Sequence, residues 1–124
     1  MKALLDILCK GLKRKDFTVE SCELVENPFM IQGIVAFKKG LNYYSIVFFE
    51  SLSNYPDSYV LDKTDQEVEE LFETIKEITT SSNYSLLKYG LTKDSSMFQR
   101  VKKEDKIFDI AFFLDKEDDL LDFV

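Results

Sequence analysis

The chain of 124 residues contains no histidine and no tryptophan, and it has only two cysteines, two prolines and four glycines. Each shortage closes off some chemistry. Without histidine the commonest general base and metal ligand is gone, together with every nucleophilic triad built on imidazole. Cys9 and Cys22 form no CxxC pair and have no histidine beside them, which argues against a zinc site; the expectation is two buried, reduced thiols, with a disulfide as the alternative. Gly11, Gly33, Gly40 and Gly90 are scattered and no GK[ST] follows any of them, which removes the usual phosphate-cradling loop. No apolar run approaches the roughly 20 residues that a bilayer-spanning helix needs. Asp6, Cys9 and Lys10 interrupt the short apolar set near the start, and no small-residue cleavage site follows it. The expectation is a cytoplasmic protein without a membrane segment.

What is present is acid and aromatic. The formal net charge is −7, with 11 Phe and 6 Tyr. A negative balance disfavours direct binding of nucleic acid, whose phosphates reward clustered Lys and Arg, and suits contact with a basic protein. The length fits one domain spanning 1–124, with no linker, low-complexity tract or internal repeat expected.

The stretch around residues 62–81 organises the rest. Thr64 and Glu67 stand at capping-box spacing, and Val68, Leu71, Phe72, Ile75 and Ile78 recur at helical spacing as one apolar stripe. Glu69, Glu70, Glu73 and Glu77 fall off that stripe and face water. Residues 2–14 form a first helix on Leu4, Leu5, Ile7, Leu8 and Leu12, ended by Lys13, Arg14 and Lys15 at the negative end of its dipole. From Phe17 to Val25 the period shifts to two, with a bulge near Glu20 or Ser21 needed to reconcile Phe17 and Val19 with Cys22 and Leu24. Phe29 to Phe37 and Leu41 to Glu50 make a hairpin about Lys38-Lys39-Gly40, with Gly33 where a side chain would crowd a neighbour. The returning strand is apolar on both faces, which places it mid-sheet. A short strand at 58–61 leads into the long helix. Strands at 84–89, 97–102 and 107–114 follow it, the last two joined by Glu104-Asp105-Lys106.

This order predicts an α+β fold: a single antiparallel meandering sheet of five to seven strands with two main helices packed on one face. The other face would then lack a cover within the chain.

Three catalytic or metal readings lose to plainer ones. Pro56-Asp57 and Glu104-Asp105-Lys106 are similar in order to a metal-dependent nuclease motif, but a whole helix separates them and Lys106 opens a strand, so two polar turns fit better. An EF-hand in the acidic tail would need glycine at its sixth place, where Leu120 stands. Glu69 and Glu73 as paired glycosidase acids are four apart on a helix back, where carboxylates are ordinarily solvated. No catalytic residue, metal or cofactor is therefore expected, and the protein is not expected to be an enzyme.

The remaining expectation is a protein-binding role. An inhibitor of the immunity-protein, antitoxin or anti-defence kind would block a basic partner, such as a nuclease toxin, by steric and electrostatic occlusion. Glu69, Glu70, Glu73, Glu77, Asp118 and Asp119 would supply the charge, and Tyr43 and Tyr44 the aromatic anchors. The competing expectation is a homodimeric adaptor or secretion-chaperone-like module without enzymatic activity, paired with its own copy.

Overall fold

The computed structural model describes residues 1–26, 28, 31–50, 66–91 and 97–115. In chain order these form α1 (Lys2–Arg14), β1 (Thr18–Glu26), β2 (Ile31–Lys39), β3 (Asn42–Glu50), α2 (Gln66–Ser81), β4 (Ser85–Leu91), β5 (Met97–Lys103) and β6 (Lys106–Asp115). All pairings are antiparallel, in one six-stranded sheet of order β1-β2-β3-β6-β5-β4. The α+β fold expected from the sequence is thus the one observed. Thr64, the strand expected at 58–61, and Asp118 and Asp119 lie outside the described residues.

Both helices pack on the same face. Leu4, Leu8 and Leu12 of α1 are fully buried, as is Ile75 of α2, and Leu71, Phe72 and Ile78 are nearly so. Beneath them lie alternate residues of every strand from β2 inward: Val35 and Phe37, then Tyr44, Ile46 and Phe48, then Phe108, Ile110 and Phe112, then Met97 and Val101. The period of two puts these side chains on one face because each is paired in register with the next, as in Val35↔Ile46 and Ile46↔Phe112. Gly33 pairs with Phe48, whose ring folds over it, so a Cβ at residue 33 would overlap the ring. Gln99 is the buried exception: its Nε2 donates to the Phe72 carbonyl at 2.9 Å and ties α2 to the sheet.

The expectation that the chain contains no repeat is overturned. Residues 2–50 and 69–114 follow the same αβββ plan, joined edge to edge where β3 pairs with β6. Buried Leu4, Leu5, Leu8, Gly11 and Leu12 correspond in order and spacing to buried Leu71, Phe72, Ile75, Ile78 and Thr79. Each helix ends in the same way. Phe17 N donates to Leu12 O and Tyr84 N to Thr79 O, while Asp16 and Asn83 both take φ 68. That is a Schellman ending with a short polar residue in the left-handed position usually held by glycine. A bulge follows at the same place in each edge strand, between Val19 and Ser21 and between Leu86 and Lys88. The bulge in β1 is the one its sequence pattern requires. The β2–β3 turn has Gly40 at φ 62, and the β5–β6 turn has Glu104 at φ 57.

Two contacts mark the pseudo-twofold axis relating the halves. In the sheet, Val47 pairs with Ala111, its own counterpart, and Ile46↔Phe112 is mirrored by Phe48↔Ile110. Above the sheet, Gly11 of α1 meets its counterpart Ile78 so closely that a Cβ on Gly11 would lie 2.7 Å from the Ile78 side chain. The helices cross there because one side has no side chain.

The cysteines also depart from expectation. Cys9 is buried but Cys22 is exposed, and a disulfide joins them. The cause is the bulge in β1, which turns Cys22 onto the helix side of the sheet, under Cys9. The helix-free face differs from the sequence reading as well. It is not bare: Phe98 is only 3% exposed, and Val47, Phe49, Ala111 and Phe113 are half-buried. It also carries the cross-strand ion pair of Arg100 and Asp109, with Nε 2.8 Å and Nη2 3.4 Å from the two carboxylate oxygens.

Candidate functional site

The best candidate for a site is the outer row of α2. Glu69, Glu73 and Glu77 recur every fourth residue, so they line up along one side of the helix, with Glu70 beside them; all four are exposed. The helix takes this form because Leu71, Phe72, Ile75 and Ile78 claim the opposite side for the core. The four do not behave alike. Glu77 Oε2 lies 2.8 Å from Lys15 Nζ, at the end of α1, so the last carboxylate of the row is joined to a cation. Glu70 faces a shallow groove of about 240 Å³ lined also by Lys15, Phe17, Lys39, Asn42, Tyr44 and Thr74. Glu69, Glu70 and Glu73 thus lie on the exposed outer side of α2, with Lys15 and Lys39 on the α1 side.

Comparison with α1 shows what is unusual about this row. The corresponding α1 positions are Lys2, Asp6 and Lys10, where signs alternate. Opposite charges four apart on a helix stabilise it by about 0.2–0.5 kcal/mol per pair, and like charges destabilise it by a similar amount. So α1 carries a balanced row and α2 a repulsive one, on the same backbone plan. The positive end of the α2 dipole offsets part of that repulsion near Glu69 and Glu70, and the Lys15 ion pair offsets part of it at Glu77.

Of the two aromatic anchors inferred from the sequence, Tyr44 lines the groove that Glu70 faces, and Tyr43 lies on the other face of the sheet. Tyr44 is 7% exposed and stacks on Phe37, ring centroids 5.3 Å apart, as part of the core. Tyr43 is half-buried on the helix-free face, with Lys38 Nζ 5.9 Å from its ring centre. Strand alternation puts neighbouring residues on opposite faces, so the pair cannot act as one anchor. Tyr89 on β4 also reaches α2. It is 44% exposed and packs on Phe72 with ring centroids 4.8 Å apart, one residue before Glu73 in the helix. The bulge between Leu86 and Lys88 brings it to the helix side. A strict alternation read from Tyr84 would have put it on the other face; the counterpart bulge at Glu20 was the signal that pointed to it.

Elsewhere the chemistry is sparse. Among the described residues no three His, Cys, Asp or Glu side chains cluster as a metal site would require, and no helix is long and apolar enough to cross a membrane. Glu104 and Asp105 form the β5–β6 turn, and Asp57 lies outside the described residues. Burial raises the Tyr84 hydroxyl above its ordinary value; it sits in the core beside Phe108 with Lys103 Nζ 5.1 Å from its ring centre. A second shallow groove, of about 280 Å³, runs where the helices cross, lined by Gly11, Arg14, Lys15, Glu77 and Ser81 among others. It is open and mixed in charge. No protein-family model, curated protein or solved structure matches this chain.

Proposed function

We propose that this protein is a non-enzymatic antagonist that binds a basic protein partner through the outer side of α2 and blocks it by charge and bulk. The observation that carries the reading is the uniform carboxylate row at Glu69, Glu73 and Glu77, set where the sister helix has Lys2, Asp6 and Lys10. A row of like charge where its counterpart alternates, relieved at Glu77 by Lys15, fits a surface kept for a partner. Glu69, Glu70 and Glu73 speed encounter with a positive cleft, and Tyr89, leaning on Phe72, gives the contact an amphipathic ring at its edge. A nuclease toxin, whose cleft is basic because it takes a phosphate backbone, is the partner class this chemistry suits.

The adaptor reading has less behind it. It pairs the helix-free sheet face or one helix with a second copy, and no specific observation favours it.

The test is capture from native cells with the whole protein and with a Glu69→Gln, Glu70→Gln, Glu73→Gln variant. The expected result is a stoichiometric basic protein whose activity the wild type blocks. The variant, at an unchanged melting temperature, should associate about tenfold or more slowly at low salt. Capture that is indifferent to the substitutions, or the absence of any partner, refutes the proposal.

A further inference from the structure

The Cys9–Cys22 bond has no counterpart in the second half. The corresponding positions hold Lys76 and Tyr89, and there the edge strand is fastened to the helix layer by Tyr89 packing on Phe72. In the first half Leu5 stands where Phe72 does, and past the bulge every residue of β1 from Ser21 to Glu26 is exposed. This outer stretch pairs with β2 along one side, from Ser21↔Ala36 to Glu26↔Ile31, and is bonded to α1 through Cys22. The helix has other holds: Leu4, Leu8 and Leu12 are fully buried in the core whatever the state of the sulfurs. One half thus uses a non-covalent contact where the other uses a bond that can be made and broken.

We propose that Cys9–Cys22 is a reversible redox latch on the edge strand, opened by a dithiol reductant and closed by a disulfide oxidant, with the rest of the fold unchanged in either state. Cys22 is the exposed residue of the pair, so its sulfur is the one a reductant attacks. A thiolate of the dithiol attacks Cys22 Sγ, the Sγ–Sγ bond breaks, and its electron pair leaves on Cys9 Sγ, which takes up a proton. The second thiol of the reductant then attacks its own sulfur in the mixed disulfide and releases Cys22 as a thiolate. Two electrons pass to the protein and the reductant leaves as an internal disulfide. Freed from α1, the Ser21–Glu26 stretch keeps its ladder to β2, and its backbone opens more often.

The experiment is hydrogen exchange on the full chain equilibrated in dithiothreitol buffers of stepped potential without denaturant, with thiols counted by alkylation and mass. The expected result is that both thiols appear together and that exchange within 21–26 accelerates about tenfold or more. Exchange in β3 and β6 should stay within about twofold of the oxidised protein. The Cys9→Ser, Cys22→Ser double variant should match the reduced protein and ignore the buffer. Four results overturn the proposal: thiols that never oxidise to a disulfide, reduction that requires denaturant, reduction or double substitution that unfolds the whole domain, and reduction that leaves 21–26 unaltered.

Discussion

The two halves of the sheet, α1 to β3 and α2 to β6, share a backbone plan and differ in what their outer surfaces carry. Both bury the same helix positions, end their helices on a left-handed polar residue and place a bulge three residues into the edge strand. They diverge where the core does not look: alternating charge against uniform acid on the helices, and a disulfide against an aromatic contact at the edges. The lesson is that burial and chain reversal tolerate little change, whereas a solvent-facing row can be rewritten at the cost of a few tenths of a kcal/mol per pair. Function is best sought in the rewritten part.

The comparison breaks most sharply at Gly33, whose counterpart is Met97. A methyl group at residue 33 would occupy the space of the Phe48 ring, so Gly33→Ala is expected to cost about 3 kcal/mol or more by denaturant titration, as over-packing of a rigid aromatic does. Met97→Ala should cost a similar amount, about 2–4 kcal/mol, for the opposite reason, a cavity. If Gly33→Ala is neutral, the close approach of the two strands is wrong.

A smaller effect is expected on the axis itself. Gly11→Ala gains about 1 kcal/mol of helix propensity but forces the Ile78 side chain aside, for a net loss of about 1 kcal/mol. Combining it with Ile78→Val should recover part of that loss. Purely additive effects in the double-mutant cycle would mean that the helices do not meet there.

Tyr84 and Phe17 hold the same place in the two halves, and only Tyr84 can ionise. Burial raises the folded-state value of the Tyr84 hydroxyl above the unfolded value near 10.0, so folding favours the neutral phenol. Its contribution is fully present below the unfolded value and is lost as pH rises through the folded one. Stability measured from pH 8 upward should therefore fall above about pH 10, and Tyr84→Phe should flatten that limb. An unchanged limb would assign it to other groups.

The smallest change in stability belongs to the most informative surface substitution. Glu73→Lys gives α2 the alternation of α1, replacing two like-charge neighbours with two opposite ones. It should stabilise the protein by about 0.5–1 kcal/mol while abolishing capture of the partner. A variant that is more stable and still captures would separate the row from function.

Much of this frame was legible in the sequence. The apolar stripes on α1 and α2 and the two-sided pattern of β3 name their buried residues because periodicity follows directly from helix and strand geometry. The bulge at Glu20 could be read because Val19 and Cys22 otherwise conflict. The repeat has a sequence trace: Lys38-Lys39 and Lys102-Lys103 each precede a turn, and Ile46-Val47-Phe48-Phe49 matches Ile110-Ala111-Phe112-Phe113. It is masked by the β4–β5 hairpin, which has three fewer residues between Leu91 and Met97 than the β1–β2 hairpin has between Leu24 and Gly33, so no single spacing aligns both helix and strands. The disulfide was not legible, since spacing alone cannot say that a bulge will turn Cys22 towards Cys9. Nor was the place of Tyr89, which depends on a second bulge, or the division of the glutamate row by Lys15, which lies distant in sequence and comes close only when the helices cross.

The two bulges have a consequence at the rims. A sheet that ends in β1 on one side and β4 on the other offers two unfinished borders, each able to template another chain. An extra residue near the start of both interrupts the regular spacing of outward amide and carbonyl groups and coils the border away from flatness. Straightening them, by deleting Glu20 and Leu87 together, would leave two flat borders on one molecule, the geometry from which open-ended ribbons grow.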